Sequence, residues 1–334
     1  MSSNVFPINF RPQTVSSFLT GFLANKLMET TPPKTTEIEL RLGRHKPKTN
    51  DSMLSYLEVL SQQSPILISS NVKNDKTINN YTQCFKRETF RFNPEIDSEE
   101  FYLKNNTFST FVPSKNQSKE FIVDFMVGKE RYQWDVTKNR FELSNKTKKE
   151  NLDLISLGIH MRLSCAQEET RQADLGEFLE LLKNKRLGLV RVKLRNNYDF
   201  QFIRFSLTKT YHITTTTITE DFVYLLKDSL KGDLEQQRPD KEVFGLINKN
   251  KLDFACEVEA EIIDTKFLVS LLKKNDYQQF RFFIERYFRN FNLIARRWME
   301  FEWKNYEALL KSMSTEKIIY PVIGHYLEEI HADK

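Results

Sequence analysis

Two short stretches of the chain place glutamates at every second position, with apolar residues between them. "TTEIELRLGR" runs from Thr35 to Arg44, and "FACEVEAEII" runs from Phe254 to Ile263. Side chains at alternate positions of a β-strand point to the same face, so each stretch predicts one acidic row on a strand. The two rows contain Glu37, Glu39, Glu257, Glu259 and Glu261. Carboxylate oxygens are the ligands that hard divalent cations prefer, so the rows are candidate metal ligands.

A solvated strand face is the more common origin of a single acidic row. Adjacent carboxylates on one face repel each other, which water tolerates but an enclosed space does not. Inside a barrel, the rows would therefore need a metal ion or basic side chains as neighbours.

Basic rows with the same period-two spacing occur between the two acidic stretches. "GLVRVKLRN" places Arg191, Lys193 and Arg195 on one face of a strand. Other predicted strands carry further polar candidates with this spacing, namely Arg131, Lys146, Arg162, Glu168 and Arg204. If the sheet closes, both charge types share one lumen, where carboxylates could bind a cation and Arg and Lys could bind phosphate oxygens.

The elements that would position these rows are short strands separated by polar turns. Such stretches recur from about residue 70 to 210, which favours an antiparallel sheet or closed barrel over a βαβ fold. Helical periodicity marks residues 13–29, 50–65, 171–184, 218–230 and the chain after residue 264. The polar segment 231–242 reads as an exposed loop. We predict an α+β protein that is mostly β: a closed eight-stranded antiparallel barrel with packed N- and C-terminal helices.

The composition excludes several other classes of protein. The 334 residues are 40% hydrophobic and 28% charged, which is enough for a core. Only 9 glycines make a glycine-rich phosphate loop improbable, and the three cysteines form no CxxC pair for structural zinc. No apolar run is long enough to span a membrane, and the first residues lack the core of a signal peptide. We expect one intracellular domain over 1–334, with a helical lead-in at about 13–30, strands at about 36–263 and helices at about 264–331.

The order of these motifs resembles a known family. The two acidic strands, one early and one late, look like the signature of the triphosphate tunnel metalloenzymes. After a predicted N-terminal helix, the chain has E-x-E-x-K/R-x-G at Glu37–Gly43, R-x-S-x-x-x-E at Arg162–Glu168, R-x-K-x-R at Arg191–Arg195 and E-x-E-x-E at Glu257–Glu261. More closely, the chain resembles the fungal and protozoal type of mRNA 5′-triphosphatase, the beta subunit of the mRNA-capping enzyme. Ser206 is a departure, because the family usually has an acidic residue at that point.

The resemblance implies an eight-stranded tunnel that binds one Mg²⁺ or Mn²⁺ and removes the γ-phosphate of 5′-triphosphate RNA, the first step of mRNA capping. It implies that Glu37, Glu39 and Glu261 bind the metal directly, while Glu257 and Glu259 hold metal-bound water or basic side chains. Glu168 would orient or deprotonate the attacking water. The remaining residues would bind the phosphates: Arg131, Lys146, Arg162, Arg191, Lys193, Arg195 and Arg204.

Other interpretations stay open at this point. The same tunnel could act on inorganic tripolyphosphate, thiamine triphosphate or a nucleotide. Mediator-head subunits share the barrel without an intact set of acidic strands, so a non-catalytic subunit is a further alternative, as is a plain barrel with solvated charges. From the resemblance we expect a nuclear protein that acts on nascent RNA and has a capping guanylyltransferase as a candidate partner. A homodimer is one option for its oligomeric state.

Overall fold

The strands of the computed structural model follow the period-two stretches of the sequence. The structure describes residues 15–29, 35–47, 66–69, 90–128, 130–156, 159–184, 187–214, 216–231 and 239–288. Within these ranges the strands are β1 Thr35–Leu42, β2 Arg44–Pro47, β3 Ile66–Ser69, β4 Phe90–Asn93, β5 Gln117–Val127, β6 Glu130–Asp135, β7 Arg140–Ser156, β8 Ile159–Gln172, β9 Leu187–Phe200, β10 Ile203–Ile213 and β11 Phe254–Ile262.

Eight of these strands close into a barrel. The order is β7-β6-β5-β9-β10-β11-β1-β8, and β8 pairs with β7 to complete the circle. Every one of these pairings is antiparallel. β3 adds to the far part of β7, and β2 pairs with β4 in a separate two-stranded ribbon. The predicted closed eight-stranded antiparallel barrel is confirmed.

Helices lie before, between and after the strands. Those in the described part of the chain are α1 Val15–Met28, α2 Ser98–Phe111, α3 Leu175–Asn184, α4 Thr216–Lys231, α5 Pro239–Lys249, α6 Thr265–Lys273 and α7 at 277–288. The prediction placed helices mainly at the two ends of the chain. The structure adds α2 and α5, so helix and strand content are nearly balanced and the class is α+β.

Alternation along the strands separates a polar lumen from an apolar exterior that the helices cover. On β1 and β11, the side chains between the glutamates, such as Ile38 and Val258, are fully buried. They belong to one hydrophobic cluster with residues of α1, α6 and α7. A second cluster joins Trp134 and Phe125 on the neighbouring strands with residues of α3, α4 and α5. Because both faces of these strands are enclosed, the glutamate rows have no outer, solvated face.

One loop prediction was wrong. Residues 239–242, which the sequence assigned to an exposed loop, form the first turn of α5. Pro239 suits the first helical position because its missing N–H has no partner there in any helix. Asp240 and Glu242 favour the same end through the helix dipole, while Val243 and Ile247 bury one side of the helix.

Several predictions fall on residues that the structure does not describe. The helix predicted at 50–65, the strand-like stretches predicted between residues 70 and 89, and the helical tail after residue 288 lie outside the described residues. In the part that is described, no helix has the length and apolarity needed to cross a membrane.

Candidate active site

The two acidic rows come from strands that are neighbours in the barrel. β1 pairs with β11 so that Glu39 lies opposite Glu261, and Arg41 lies opposite Glu259. On the other side of β1, Glu39 lies opposite Ser164 of β8, and Arg41 lies opposite Arg162. The metal-ligand residues predicted from the sequence are therefore brought together on one wall of the lumen.

Basic side chains contact most of these carboxylates. Lys146 Nζ lies 2.6 Å from Glu37 Oε1, and Arg41 forms a close ion pair with Glu39. Glu259 is bound from two sides, by Arg41 Nε at 2.9 Å and by an Arg195 terminal nitrogen at 3.4 Å. Burial alone would raise the pKa of Glu259, but Arg41 and Arg195 lower it to about 2.

Glu261 has the opposite electrostatic environment. Among the described residues no lysine or arginine forms an ion pair with it. Burial raises its pKa to about 7, and the nearby charge of Glu37 acts in the same direction. Arg195 and Arg204 lower the pKa but do not outweigh these effects. Glu261 is therefore the carboxylate of the rows that most lacks a compensating charge.

A second cluster lies around Asp124 of β5, a residue that is fully buried. Arg131 binds its Oδ1 through Nε at 3.2 Å and through a terminal nitrogen at 3.1 Å, and the Gln133 amide donates to the same oxygen at 3.0 Å. Arg191 and Lys193 lie 3.1 and 3.2 Å from Oδ2. Three predicted phosphate-binding residues thus meet at one carboxylate.

The sequence analysis missed Asp124, although a signal for it existed. In "EFIVDFMV" the charged Glu120 and Asp124 stand four positions apart, and so in phase, within an otherwise apolar strand. An isolated aspartate in such a strand indicates a buried and paired carboxylate.

Glu168, the predicted water-orienting residue, lies near the end of β1 that carries Glu37. The Ser144 hydroxyl donates to Glu168 Oε1 at 2.7 Å, and Lys146 Nζ lies 3.9 Å from the same oxygen. Lys146 therefore links Glu168 to Glu37. The hydrogen bond from Ser144 fixes one carboxylate oxygen of Glu168.

Arg162 and Arg204 are held differently from the other predicted phosphate-binding residues. Arg162 forms two hydrogen bonds to Asp153, at 2.6 and 2.7 Å, and its guanidinium lies 4.5 Å from the centre of the Phe92 ring. Arg204 forms two hydrogen bonds to Asp199, at 2.8 and 3.0 Å. The paired aspartates were not among the predicted site residues. Any contact with phosphate would have to use the guanidinium N–H groups that face away from them.

Ser206, which stands where an acidic residue is usual, is buried between β9 and β11. It lies opposite Glu259, and its hydroxyl donates to Asn197 Oδ1 at 2.7 Å. The Asn197 side-chain nitrogen is buried and has no hydrogen-bond partner among the described residues. A neutral pair of side chains thus replaces a carboxylate beside the acidic row.

The residue types on this wall suit a hard divalent cation. Glu37, Glu39 and Glu261 supply only oxygen ligands, and a bound cation would offset both the burial and the repulsion by Glu37 that raise the pKa of Glu261. Among the described residues, however, no three carboxylate, histidine or cysteine side chains converge on a single metal-sized position. Glu37 and Glu39 turn instead toward Lys146 and Arg41. The ligand chemistry fits the cation, whereas binding it would require these two side chains to rotate.

Comparison with known proteins identifies the class of fold. No family model matches the chain, and no curated protein matches its sequence. Among solved structures, the chain is similar to that of the S. pombe Pct1 RNA triphosphatase, with a TM-score of 0.51 and 16% identity over 89% of this chain and 97% of that one. The structure of the same enzyme in complex with the Spt5 CTD gives a TM-score of 0.51 and 16% identity, with 84% and 93% covered. The fold of this chain is that of an RNA triphosphatase, which confirms the resemblance at the level of the fold.

Proposed function

We propose that the protein is a metal-dependent RNA 5′-triphosphatase that hydrolyses the γ-phosphate of 5′-triphosphate RNA, the first step of mRNA capping. The observation that carries the proposal is the enclosure of both charge types in one barrel: the rows of Glu37–Glu39 and Glu257–Glu261 face the same lumen as Arg191, Lys193 and Arg195. A triphosphate and its counter-cation need this combination of ligands.

The chemistry follows from positioning and charge, because phosphoryl transfer passes through a loose and highly charged transition state. The oxygen of water forms a bond to the γ-phosphorus as the bond to the β-phosphate oxygen breaks, which leaves a diphosphate end and inorganic phosphate. Glu168 orients this water and accepts its proton. Arg131, Arg191 and Lys193 bind the oxygens of the departing phosphoryl group.

Glu37, Glu39 and Glu261 would hold Mg²⁺ or Mn²⁺, which when bound neutralises phosphate charge and polarises the γ-phosphate. Glu257 and Glu259 would hold metal-bound water or basic side chains. Glu259 keeps Arg41 and Arg195 in place through its two ion pairs. Lys146, Arg162, Arg195 and Arg204 supply further positive charge along the lumen.

A phosphate-release assay tests the proposal and its main alternative together. RNA labelled at the γ-phosphate, inorganic tripolyphosphate, thiamine triphosphate and ATP are each incubated with the protein, with Mg²⁺, with Mn²⁺ and with EDTA. The proposal expects metal-dependent release with the highest kcat/KM for RNA. A higher kcat/KM for tripolyphosphate, thiamine triphosphate or ATP would assign the tunnel to that substrate. If no phosphate is released from any of these substrates, the remaining interpretation would be a non-catalytic barrel, such as a Mediator-head-like subunit.

The cellular location and the partners of this activity are also part of the proposal. An enzyme of nascent mRNA would act in the nucleus, and its diphosphate product is the substrate of a capping guanylyltransferase, which is thus a candidate partner. The similar Pct1 structure was solved in complex with the Spt5 CTD, so a protein partner is a further candidate. Co-purification with a guanylyltransferase, and sedimentation to test for a homodimer, would examine these points.

A further inference from the structure

Asp124 stands out among the carboxylates of the lumen because its burial is complete and its neighbours are all donors. Burial would raise its pKa, but Lys193, Arg131 and Arg191 together hold that pKa well below the ordinary value of 3.8. The carboxylate is therefore ionised, and it is a fixed negative charge beneath three positive ones. Its neighbours on β5, Val123 and Phe125, point to the outer core and are fully buried, which anchors this part of the strand.

The geometry shows that one carboxylate is shared by more cations than it can satisfy. Oδ1 accepts hydrogen bonds from Arg131 and Gln133, while Oδ2 lies 3.1 Å from an Arg191 nitrogen and 3.2 Å from Lys193 Nζ. Within the described residues, Arg191 Nε is buried and has no hydrogen-bond partner. Three cations around one carboxylate leave a net positive charge and at least one donor in excess, so the cluster suits an anionic ligand.

A purely structural ion pair would look different. Buried ion pairs stabilise a fold only when excellent geometry and further hydrogen bonds satisfy the remaining groups. Here three cations share one carboxylate, and within the described residues Arg191 Nε has no hydrogen-bond partner. The arrangement leaves positive charge in excess, and it aligns three basic side chains from two strands toward one point.

We propose that Asp124 is a positioning residue, which holds Arg131, Arg191 and Lys193 so that their remaining N–H groups meet the oxygens of the terminal phosphate. This inference rests on the proposed triphosphatase function and adds a role that the phosphate-binding residues alone do not contain. Asp124 does not touch the substrate. It acts through the three cations by fixing where their charge lies before the phosphate arrives.

The first test is Asp124→Asn, which keeps the size of the side chain and one oxygen acceptor but removes the charge. Without the carboxylate the cluster becomes more positive, so ground-state attraction for a polyanion is kept or increased. The alignment of the three cations is lost, and a displacement of this kind near the reacting group lowers kcat by about 10-fold to 100-fold. We expect kcat for γ-phosphate release to fall by that factor while KM for the triphosphate RNA stays the same or decreases.

The matched control is Asp174→Asn at the N-terminus of α3, where the aspartate accepts a hydrogen bond from the Glu177 backbone at 2.7 Å. Asparagine is an equally good residue at such a position, so kcat, KM and melting temperature should stay at wild-type values.

A second variant, Asp124→Glu, keeps the negative charge and so protects the fold, but moves the carboxylate by one methylene. We expect a melting temperature close to that of the wild type and a kcat reduced like that of Asp124→Asn. Wild-type kcat in either folded variant would overturn the inference, as would an increase in KM with unchanged kcat. Failure of both variants to form the folded barrel would assign Asp124 to stability alone.

These outcomes are distinct from failure of the proposed function. If the wild-type protein releases no phosphate from any triphosphate, the proposed function fails and the Asp124 inference falls with it. If the wild type is active and the folded Asp124 variants match it, only the inference is lost.

Discussion

Glu39 and Glu261 lie directly opposite each other on neighbouring antiparallel strands, although they come from the two ends of the barrel sequence. Like charges in this relationship destabilise a sheet, so the pairing works against folding stability. Burial, together with the nearby charge of Glu37, raises the pKa of Glu261 to about 7. The proposed divalent cation would offset this unfavourable charge, because Glu37, Glu39 and Glu261 are its proposed ligands.

Substitution of Glu261 should separate the metal-ligand role from a structural one. Glu261→Gln keeps an oxygen and the volume but removes the charge, and Glu261→Asp keeps the charge but withdraws the oxygen. Mg²⁺ requires near-ideal octahedral geometry, so we expect both variants to lose metal-dependent γ-phosphate release while remaining folded. The control is Glu180→Gln on the exposed side of α3, which should leave activity unchanged. Release at the wild-type rate by Glu261→Gln would refute the metal assignment.

The pKa of Glu261 predicts how stability depends on pH in metal-free protein. Its pKa in the folded protein, about 7, lies above the ordinary value of 4.5. Its contribution to stability is therefore fully present below pH 4.5 and is lost as pH rises through 7. We expect the wild type to lose on the order of 1–3 kcal/mol relative to Glu261→Gln between these limits.

Thermal unfolding in EDTA at pH 4.5, 6 and 8 measures this difference. Comparison of the two proteins at each pH cancels the titration of other groups, including His212, whose own lowered pKa acts in the opposite direction. A constant difference in melting temperature across the three pH values would contradict the prediction.

Removal of Glu168 should affect the chemical step more than metal binding. Ser144 and Lys146 hold the carboxylate beside Glu37, where it can align water. We expect Glu168→Ala to lower kcat by about 100-fold or more with little change in the metal concentration needed for half-maximal activity. The adjacent Glu169 is exposed, so Glu169→Ala is a matched control that should keep normal turnover. Near-normal turnover in Glu168→Ala would remove this residue from the mechanism.

Gly43, the last residue of the first acidic motif, is predicted to tolerate no side chain. A Cβ atom there would overlap the Asn93 carbonyl oxygen and the Phe92 ring, which in turn stacks on Arg162. We expect Gly43→Ala to destabilise the protein by about 1–3 kcal/mol, because the two-stranded ribbon must move to make room.

Gly21 of α1 provides the matched control for Gly43. Apart from the helix itself, no atom of the described residues lies within 4 Å of a Cβ added at Gly21, and alanine in a helix interior is favoured over glycine by about 1 kcal/mol. Melting temperatures of the two variants should therefore shift in opposite directions. A Gly43→Ala protein as stable as the wild type would show that the close approach of the ribbon is not needed.

The barrel could be predicted from the sequence because period-two spacing indicates both that a segment is a strand and which of its side chains share one face. Glu37, Glu39 and the late glutamate row were assigned to one lumen on that basis, and the strand register bears this out. The basic residues that Asp124, Asp153 and Asp199 pair with could not be identified in the same way. Each lies on a strand whose register with its neighbour depends on closure of the whole barrel, and single-strand spacing does not contain that information. The roles of the site residues remain predictions.

The ion pairs of the lumen have a thermodynamic consequence for its ligands. Lys146 is bound to Glu37, and Arg41 is bound to Glu39 and Glu259. Each carboxylate thus occupies a cation that a phosphate would use, and each basic group occupies a carboxylate that a metal would use. A metal that draws away Glu37 would release Lys146 for the polyanion, and a polyanion that draws away Lys146 would release Glu37 for the metal. Arg41 would keep its ion pair with Glu259 when Glu39 leaves. The proposed metal and triphosphate would therefore be coupled by exchange of partners, and by linkage each would strengthen the binding of the other by the same factor.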